Sequence, residues 1–308
     1  MRCTPGRRDE NLARARAHLE HAVQRGATLV VFPELMPTGY RLETAIWQHA
    51  EPFDGPTLDW LHRESVRLRV WIGTSFLETD GNDFFNTFVL VDDEGIVAAR
   101  VRKNAPAAVE ACFFRGSRDP HLVDTRLGCI GIGICYEGLR GDWGREIGGR
   151  AQLVLLALSA PSPTVDRHNS PADREAFDAL IRGEGAAVSR ALGVPTVLAN
   201  QCGPWVSGLP APFLPQDSSF PGGSGVCDAR GDALAMLGPD EGVAVADVML
   251  GPVARPVRHR GRWLIAVPRK FGLFVIPECL GRIRYALSLE RRRLARAAFG
   301  RRGPSGTP

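Results

Sequence analysis

The chain has 308 residues, 44% hydrophobic and 23% charged, with a formal net charge of +4; it reads as a globular protein with a sizeable core, which excludes disordered and collagen-like classes. Seven scattered cysteines, an odd number without the short paired spacings of zinc or redox motifs, fit a reducing cytoplasm and give no metal site. No apolar run approaches the roughly 18 to 20 residues of a membrane span, and the N-terminus MRCTPGRRDE lacks the apolar core of a signal peptide, which argues against membrane insertion and secretion.

In chain order, Leu12, Ala15, Leu19 and Val23 recur at helical spacing over residues 9–25, and Gly26 ends that helix. An apolar strand, Ala27 to Phe32, follows and closes on Pro33 and Glu34. A second helix is expected around Thr57 to Leu68, then three strands joined by Gly/Asp turns: Arg69 to Phe76, Asn86 to Val91 and Ile96 to Val101. The third runs into Arg102, Lys103 and Asn104, and a loop with Glu110, Phe113 and Phe114. A short strand near His121 to Val123 precedes GCIGIGICYEG, residues 128–138. Next come a helix from about Asp142, strand Leu153 to Leu158, helix Asp173 to Leu192, strand Pro195 to Asn200, and two β-rich segments, Gly223 to Asp228 and Val243 to Val248. Alternating strands and helices with hairpin insertions make the class α/β in several layers. No internal repeat or linker divides residues 1–251. Residues 252–308 form an arginine-rich extension with one helix, Arg282 to Ala298, and a disordered-looking end.

Three features invite chemistry. The run Leu127 to Ile134 carries no charge and breaks at a turn, placing Cys135 at a strand's carboxyl end, where a thiol is held by the sheet yet open to a cleft. The bland alternative is a buried structural cysteine. Glu34 directly follows a buried strand and is either a solvated loop acid or part of a site. Of 38 basic residues only Lys103 and Lys270 are lysine, so a compact, tunable ammonium is kept at two places in a chain that otherwise uses arginine. Arginine blocks such as Arg291 to Arg293 lack aromatic interleaving and any nucleic-acid motif; a solvated helix face or an oligomer contact explains them, and no nucleic acid is expected as a partner.

Three blocks, GATLVVFPELMPTGY at 26–40, RKNAPAAVEACFFRG at 102–116 and GIGICYEGLRGDW at 131–143, occur in an order and spacing that resemble the carbon-nitrogen hydrolase (nitrilase) superfamily. Weaker matches run through AQLVLLALSAP, PTVLANQCG and FPGGSGVCDARGDALA. The resemblance implies a four-layer α-β-β-α sandwich and places a Glu-Lys-Cys triad on Glu34, Lys103 and Cys135, with a second glutamate at Glu110. It implies a cofactor-free hydrolase of a small carboxamide working through a thioester on Cys135, and a homodimer. Tyr40, Tyr136, Glu137 and Trp143 are candidates for the substrate pocket. Glu137 reads equally as a salt-bridge acid, and the aromatic residues equally as core.

The sequence also departs from the family pattern. Met1 falls where the family's opening strand has ended, so that strand is expected to be missing and its neighbour's edge unpaired. Tyr136 stands where true nitrilases carry tryptophan after the nucleophile, which favours amides over nitriles. The alternatives are a nitrile or N-carbamoyl substrate, acyl transfer to an amine, and a catalytically silent scaffold.

Overall fold

The computed structural model describes residues 1–209, 216–250, 262–267 and 275–300. Two sheets face each other. The first has the order β1-β2-β3-β4, with β1 Leu29–Val31, β2 Trp71–Thr79, β3 Phe84–Val91 and β4 Val97–Arg102. Here β1 and β2 are parallel and the other pairings antiparallel. The second, six-stranded sheet comprises β5 Leu122–Thr125, β6 Gly128–Ile134, β7 Leu153–Leu158, β8 Thr196–Asn200, β11 Gly225–Cys227 and β12 Ala233–Met236, in the order β12-β11-β8-β7-β6-β5. Its centre, β6-β7-β8, is parallel.

The two-residue period of the strands sorts their side chains. Ile130, Ile132 and Ile134 of β6 and Leu153, Leu155 and Ala157 of β7 meet Phe88, Leu90 and Val101 of the first sheet in a dry core between the sheets. The alternate residues Val154, Leu156 and Leu158 face outward onto helices α3 (Gly141–Ile147) and α4 (Pro171–Leu192). Helices α1 (Arg8–Gln24) and α2 (Pro56–Leu68) cover the first sheet through Leu12, Leu19, Leu58 and Leu61. Four layers result, as the sequence resemblance implied. On the outer face β6 carries Gly131 and Gly133, which admit the helical layer: a Cβ on Gly133 would lie 2.6 Å from Leu156 Cδ2 and 2.9 Å from Trp143 Cζ2.

Four expectations need correction. Val243 to Val248 is not a strand, although its sequence suits one. Among the described residues strand β1 pairs with β2 alone, and a cavity of about 420 Å³ is lined by residues 25–33, 242–248 and parts of the second sheet. With no ladder partner among the described residues, Val243–Val248 stays outside the sheets as a largely half-buried run. Second, a hairpin of β9 (Cys202–Ser207) and β10 (Gln216–Pro221) follows β8, and β12 extends the sheet; neither was read from sequence. Third, the tail's helix is two, α5 (Val275–Leu287) and α6 (Leu289–Phe299), because the Ser288 hydroxyl caps the second by accepting from Arg291 N (3.2 Å). Fourth, beside the solvated face or oligomer contact expected of the tail, its helices also supply core: Tyr285, Ala295 and Ala298 share one cluster with Trp47, Phe84 and Phe113. Lys270, the division at 251–252 and the end RRGPSGTP lie outside the described residues.

Candidate active site

The candidate residues arrive at the carboxyl ends of three strands. Glu34 follows β1 and is wholly buried. Its backbone is held by other elements: Glu34 N donates to Leu158 O at the end of β7 (3.2 Å), and Glu34 O accepts from Ser159 Oγ (2.6 Å) and Gln201 Nε2 (3.2 Å). Lys103 ends β4 and is equally enclosed, its ammonium donating to Glu34 Oε1 (2.8 Å) and Glu110 Oε2 (2.7 Å). Glu110 sits in a 3₁₀ turn, Ala108–Cys112, and accepts also from Ala107 N (2.7 Å) and from the Tyr40 hydroxyl (2.6 Å). Asn86, an amide inside the apolar strand β3, donates to Glu34 Oε1 (2.7 Å).

Cys135 ends β6 and opens a 3₁₀ turn, Cys135–Leu139, with φ of +53°. That left-handed conformation costs roughly 1–2 kcal/mol for a non-glycine residue. It turns the chain sharply where the thiol is presented. Glu137 secures the turn. Its Oε2 accepts from Ile134 N (3.0 Å) and His121 Nε2 (3.0 Å), and its Oε1 accepts from Asn104 N (2.6 Å) and Ala105 N (3.3 Å). One carboxylate therefore ties the loop behind Lys103 to the turn bearing Cys135.

The electrostatics follow from burial. Desolvation, reinforced by Glu110 and opposed by Lys103, pushes the Glu34 carboxyl up to about 7. Burial alone would lower the Lys103 ammonium, but the charges of Glu110 and Glu34 outweigh it and hold the group well above its usual value. The Cys135 thiol is pushed well above its ordinary range by burial and then by Glu34, against the pull of Lys103. The site therefore favours a protonated thiol at Cys135, a carboxyl at Glu34 that gives up its proton late, and a firm ammonium at Lys103.

Of the four pocket candidates, Tyr40 is bound to Glu110. Tyr136 packs with Ala105, Leu139 and Trp263, the Trp263 ring lying 5.8 Å away between centroids. Trp143 lies in the outer core, its indole Nε1 donating to Ile132 O (2.8 Å) and its ring covering Gly133. Glu137 is a brace between two loops. Sequence reasoning missed Asn86, Gln201 and Glu184. Glu184 is buried on α4 with Oε1 unpartnered among the described residues, and it packs so closely on the turn bearing Cys135 that a Cβ on Gly138 would lie 2.4 Å from that oxygen. Burial, then the charge of Glu34, raises its carboxyl to about 8. A signal was present, since Glu184 interrupts the buried stripe of Ile181, Val188 and Leu192.

The model of the family described as carbon-nitrogen hydrolase matches residues 1–255. The chain belongs to the carbon-nitrogen hydrolase family. Within the family it is 31% identical over 142 residues to an ω-amidase of Arabidopsis thaliana, covering 41% of this chain and 38% of that one. It is 30% identical over 133 residues to a nitrilase of Pyrococcus abyssi, covering 42% and 50%. It is also 26% identical over 189 residues to a citrullinase of Francisella tularensis, covering 58% and 65%. The aligned chain thus spans less than two thirds of each of these relatives. An amidase structure from Nesterenkonia sp. AN1 superposes with a TM-score of 0.64 at 22% identity, covering 78% of this chain and 85% of that one. A carbon-nitrogen hydrolase structure from Helicobacter pylori does so with a TM-score of 0.64 at 18% identity, covering 79% and 85%. These two likenesses bear out the fold. Among the described residues no helix is long and apolar enough to cross a membrane.

Proposed function

We propose that this carbon-nitrogen hydrolase cleaves a small carboxamide to the acid and ammonia through a thioester on Cys135. The observation that carries the reading is a buried ammonium, Lys103, clamped between Glu34 and Glu110 beside a thiol at a strained turn. Burying one positive and two acidic groups is costly, and removing one member of such a cluster destabilises by roughly 3–5 kcal/mol, so a purely structural role is a poor use of the arrangement.

Among the described residues Glu34 Oε2 has no hydrogen-bond partner. It takes the Cys135 proton as sulfur attacks the amide carbon, a task suited to a carboxyl whose pKa lies near the working pH. Lys103, with the backbone NH after the nucleophile, stabilises the charge that develops on oxygen. Glu34 returns the proton to the leaving nitrogen, the C–N bond breaks and ammonia departs. Water then gives a proton to Glu34 and its hydroxide to the thioester carbonyl; the C–S bond breaks, the thiol is reprotonated and the acid leaves. Glu110 orients Lys103 throughout. Ammonia release from a panel of short amides, nitriles and N-carbamoyl compounds tests the reading: turnover of amides with a mass increment of the acyl group on Cys135 supports it. Its absence across the panel, or unchanged turnover in Cys135→Ala, overturns it. The same proposal includes a homodimer in the cytoplasm, to be read by sedimentation and by fractionation of cells.

A further inference from the structure

The arginine-rich tail has a use that the amide chemistry does not absorb. Helices α5 and α6 dock beside the loop following β4 and line with it an open cavity of about 970 Å³. Six arginines line it, Arg102, Arg115, Arg118, Arg282, Arg291 and Arg292, against two carboxylates, Asp80 and Asp83. The charges are unequally matched. Glu78 serves Arg102 and Arg100, Asp83 serves Arg115 and Arg291, and Glu278 serves Arg282. Arg118 and Arg292 are exposed and make no ion pair among the described residues.

Two of these guanidiniums are held as fixed planes. Arg102 lies 3.8 Å over the Phe85 ring centroid and Arg291 lies 4.5 Å over that of Tyr285. Each has one edge engaged: Arg102 Nη2 donates to Glu78, while Arg291 Nη1 donates to Asn82 O (3.3 Å) and pairs with Asp83. The Nε of each is buried without an acceptor. Arg291 is only 7% exposed, and burial together with the neighbouring charge of Arg292 lowers its pKa, so like charges are gathered here without full compensation. The natural complement of guanidiniums gathered with too few carboxylates is an oxyanion presenting several oxygens at once.

We infer that this cavity binds a small phosphate-bearing polyanion, with the fixed guanidinium planes of Arg102 and Arg291 in its lining and the exposed Arg118 and Arg292, without an ion pair among the described residues, supplying the contacts. Guanidinium forks match tetrahedral phosphate oxygens two at a time, and the excess of arginine calls for more than one negative charge. A concave space of this size, walled by the body on one side and the tail helices on the other, suits a small molecule rather than a strand of nucleic acid. Arg102 adjoins Lys103, and Ala111 in the cavity wall adjoins Glu110, so an occupant would also join the tail to the back of the candidate catalytic loop.

The test uses the full chain, with sodium tripolyphosphate as probe, sodium sulfate at equal ionic strength as control and ATP as a second arm, read by calorimetric titration and thermal melting. Tripolyphosphate should bind at least about tenfold tighter than sulfate and raise the melting temperature. ATP binding equally well would show that the phosphate chain alone is read, and ATP binding more tightly would show that a nucleoside also seats; both agree with the inference. The double variant Arg118→Ala, Arg292→Ala should lose about tenfold or more in affinity. Its charge-keeping counterpart, Arg118→Lys, Arg292→Lys, should fall between and guards against misfolding of the first. No binding beyond the sulfate control, or the same affinity in both double variants as in the parent, overturns the inference.

Discussion

Two strands deliver the two groups that exchange a proton in the proposed reaction, and they could hardly be built more differently. Strand β6 has seven residues, partners on both sides and Cys135 as a direct continuation of its backbone. Strand β1 has three half-buried residues and, among the described residues, one partner, and it lines a cavity. Yet Glu34 is as deeply buried as the end of β6. Its place is set after the strand, by Leu158 O, Ser159 Oγ, Gln201 Nε2 and the Ser75 hydroxyl that accepts from Leu35 N (2.8 Å). Cys135 is thus positioned by its own strand, whereas Glu34 is positioned by hydrogen bonds from the ends of β7 and β8 and from neighbouring β2.

The largest expected effects lie in the groups themselves. Cys135→Ala should abolish turnover with the circular dichroism spectrum unchanged, and Lys103→Arg should lose on the order of 100- to 1000-fold in kcat, because a planar fork cannot occupy the seat of an ammonium between two carboxylates. Near-normal rates in the arginine variant would make Lys103 a structural charge. The sheet-built side is broken next by Gly133→Ala, whose methyl meets Leu156 and Trp143; overpacking of this kind costs about 1–3 kcal/mol and should lower the melting temperature by several degrees.

On the hydrogen-bonded side, Gln201→Leu removes one of the two donors to Glu34 O and the donor to Ser159 Oγ (2.7 Å), leaving Ser159 alone to hold that carbonyl. It should cost about 1–3 kcal/mol and reduce kcat more than it raises KM. A loss of stability with kcat intact would mean that Glu34 keeps its place without Gln201. The smallest effect sharpens the comparison at Cys135. Since φ is +53° there, Cys135→Gly should be more stable than Cys135→Ala by about 1 kcal/mol, read by urea unfolding.

Much of this was legible in the sequence, for reasons particular to each segment. The run GCIGIGI reads as a central strand because its glycines and isoleucines alternate, and β6 occupies those residues. Glu34, Lys103, Cys135 and Glu110 were named because three sequence blocks carry them, and the fold gathers the first two and Glu110 into direct contact. What the chain's pattern hid is what depends on partners far away in sequence. Val243 to Val248 has a strand's composition but, among the described residues, no neighbour to pair with. Ser288 breaks a continuous helical pattern through one hydroxyl. Asn86 and Glu184 each interrupt an apolar pattern, which marks them as unusual without saying whom they meet.

Two buried acids near Lys103, Glu34 and Glu184, make the native protein a store of protons. Glu34 and Glu184 have folded values raised to about 7 and about 8, whereas an unfolded glutamate titrates near roughly 4.3. Between those values the folded chain binds more protons than the unfolded one, so this contribution to stability is complete below the unfolded value and is lost as pH rises through about 7 and then about 8. Unfolding at mildly acidic pH must therefore discharge protons into the buffer, and the apparent heat of unfolding must change with the buffer's own heat of ionisation. Replacing Glu184 by Gln should reduce the discharge by about one proton, with the parent and variant compared in two buffers at one pH. An identical discharge from both proteins would assign the stored protons to groups other than Glu184.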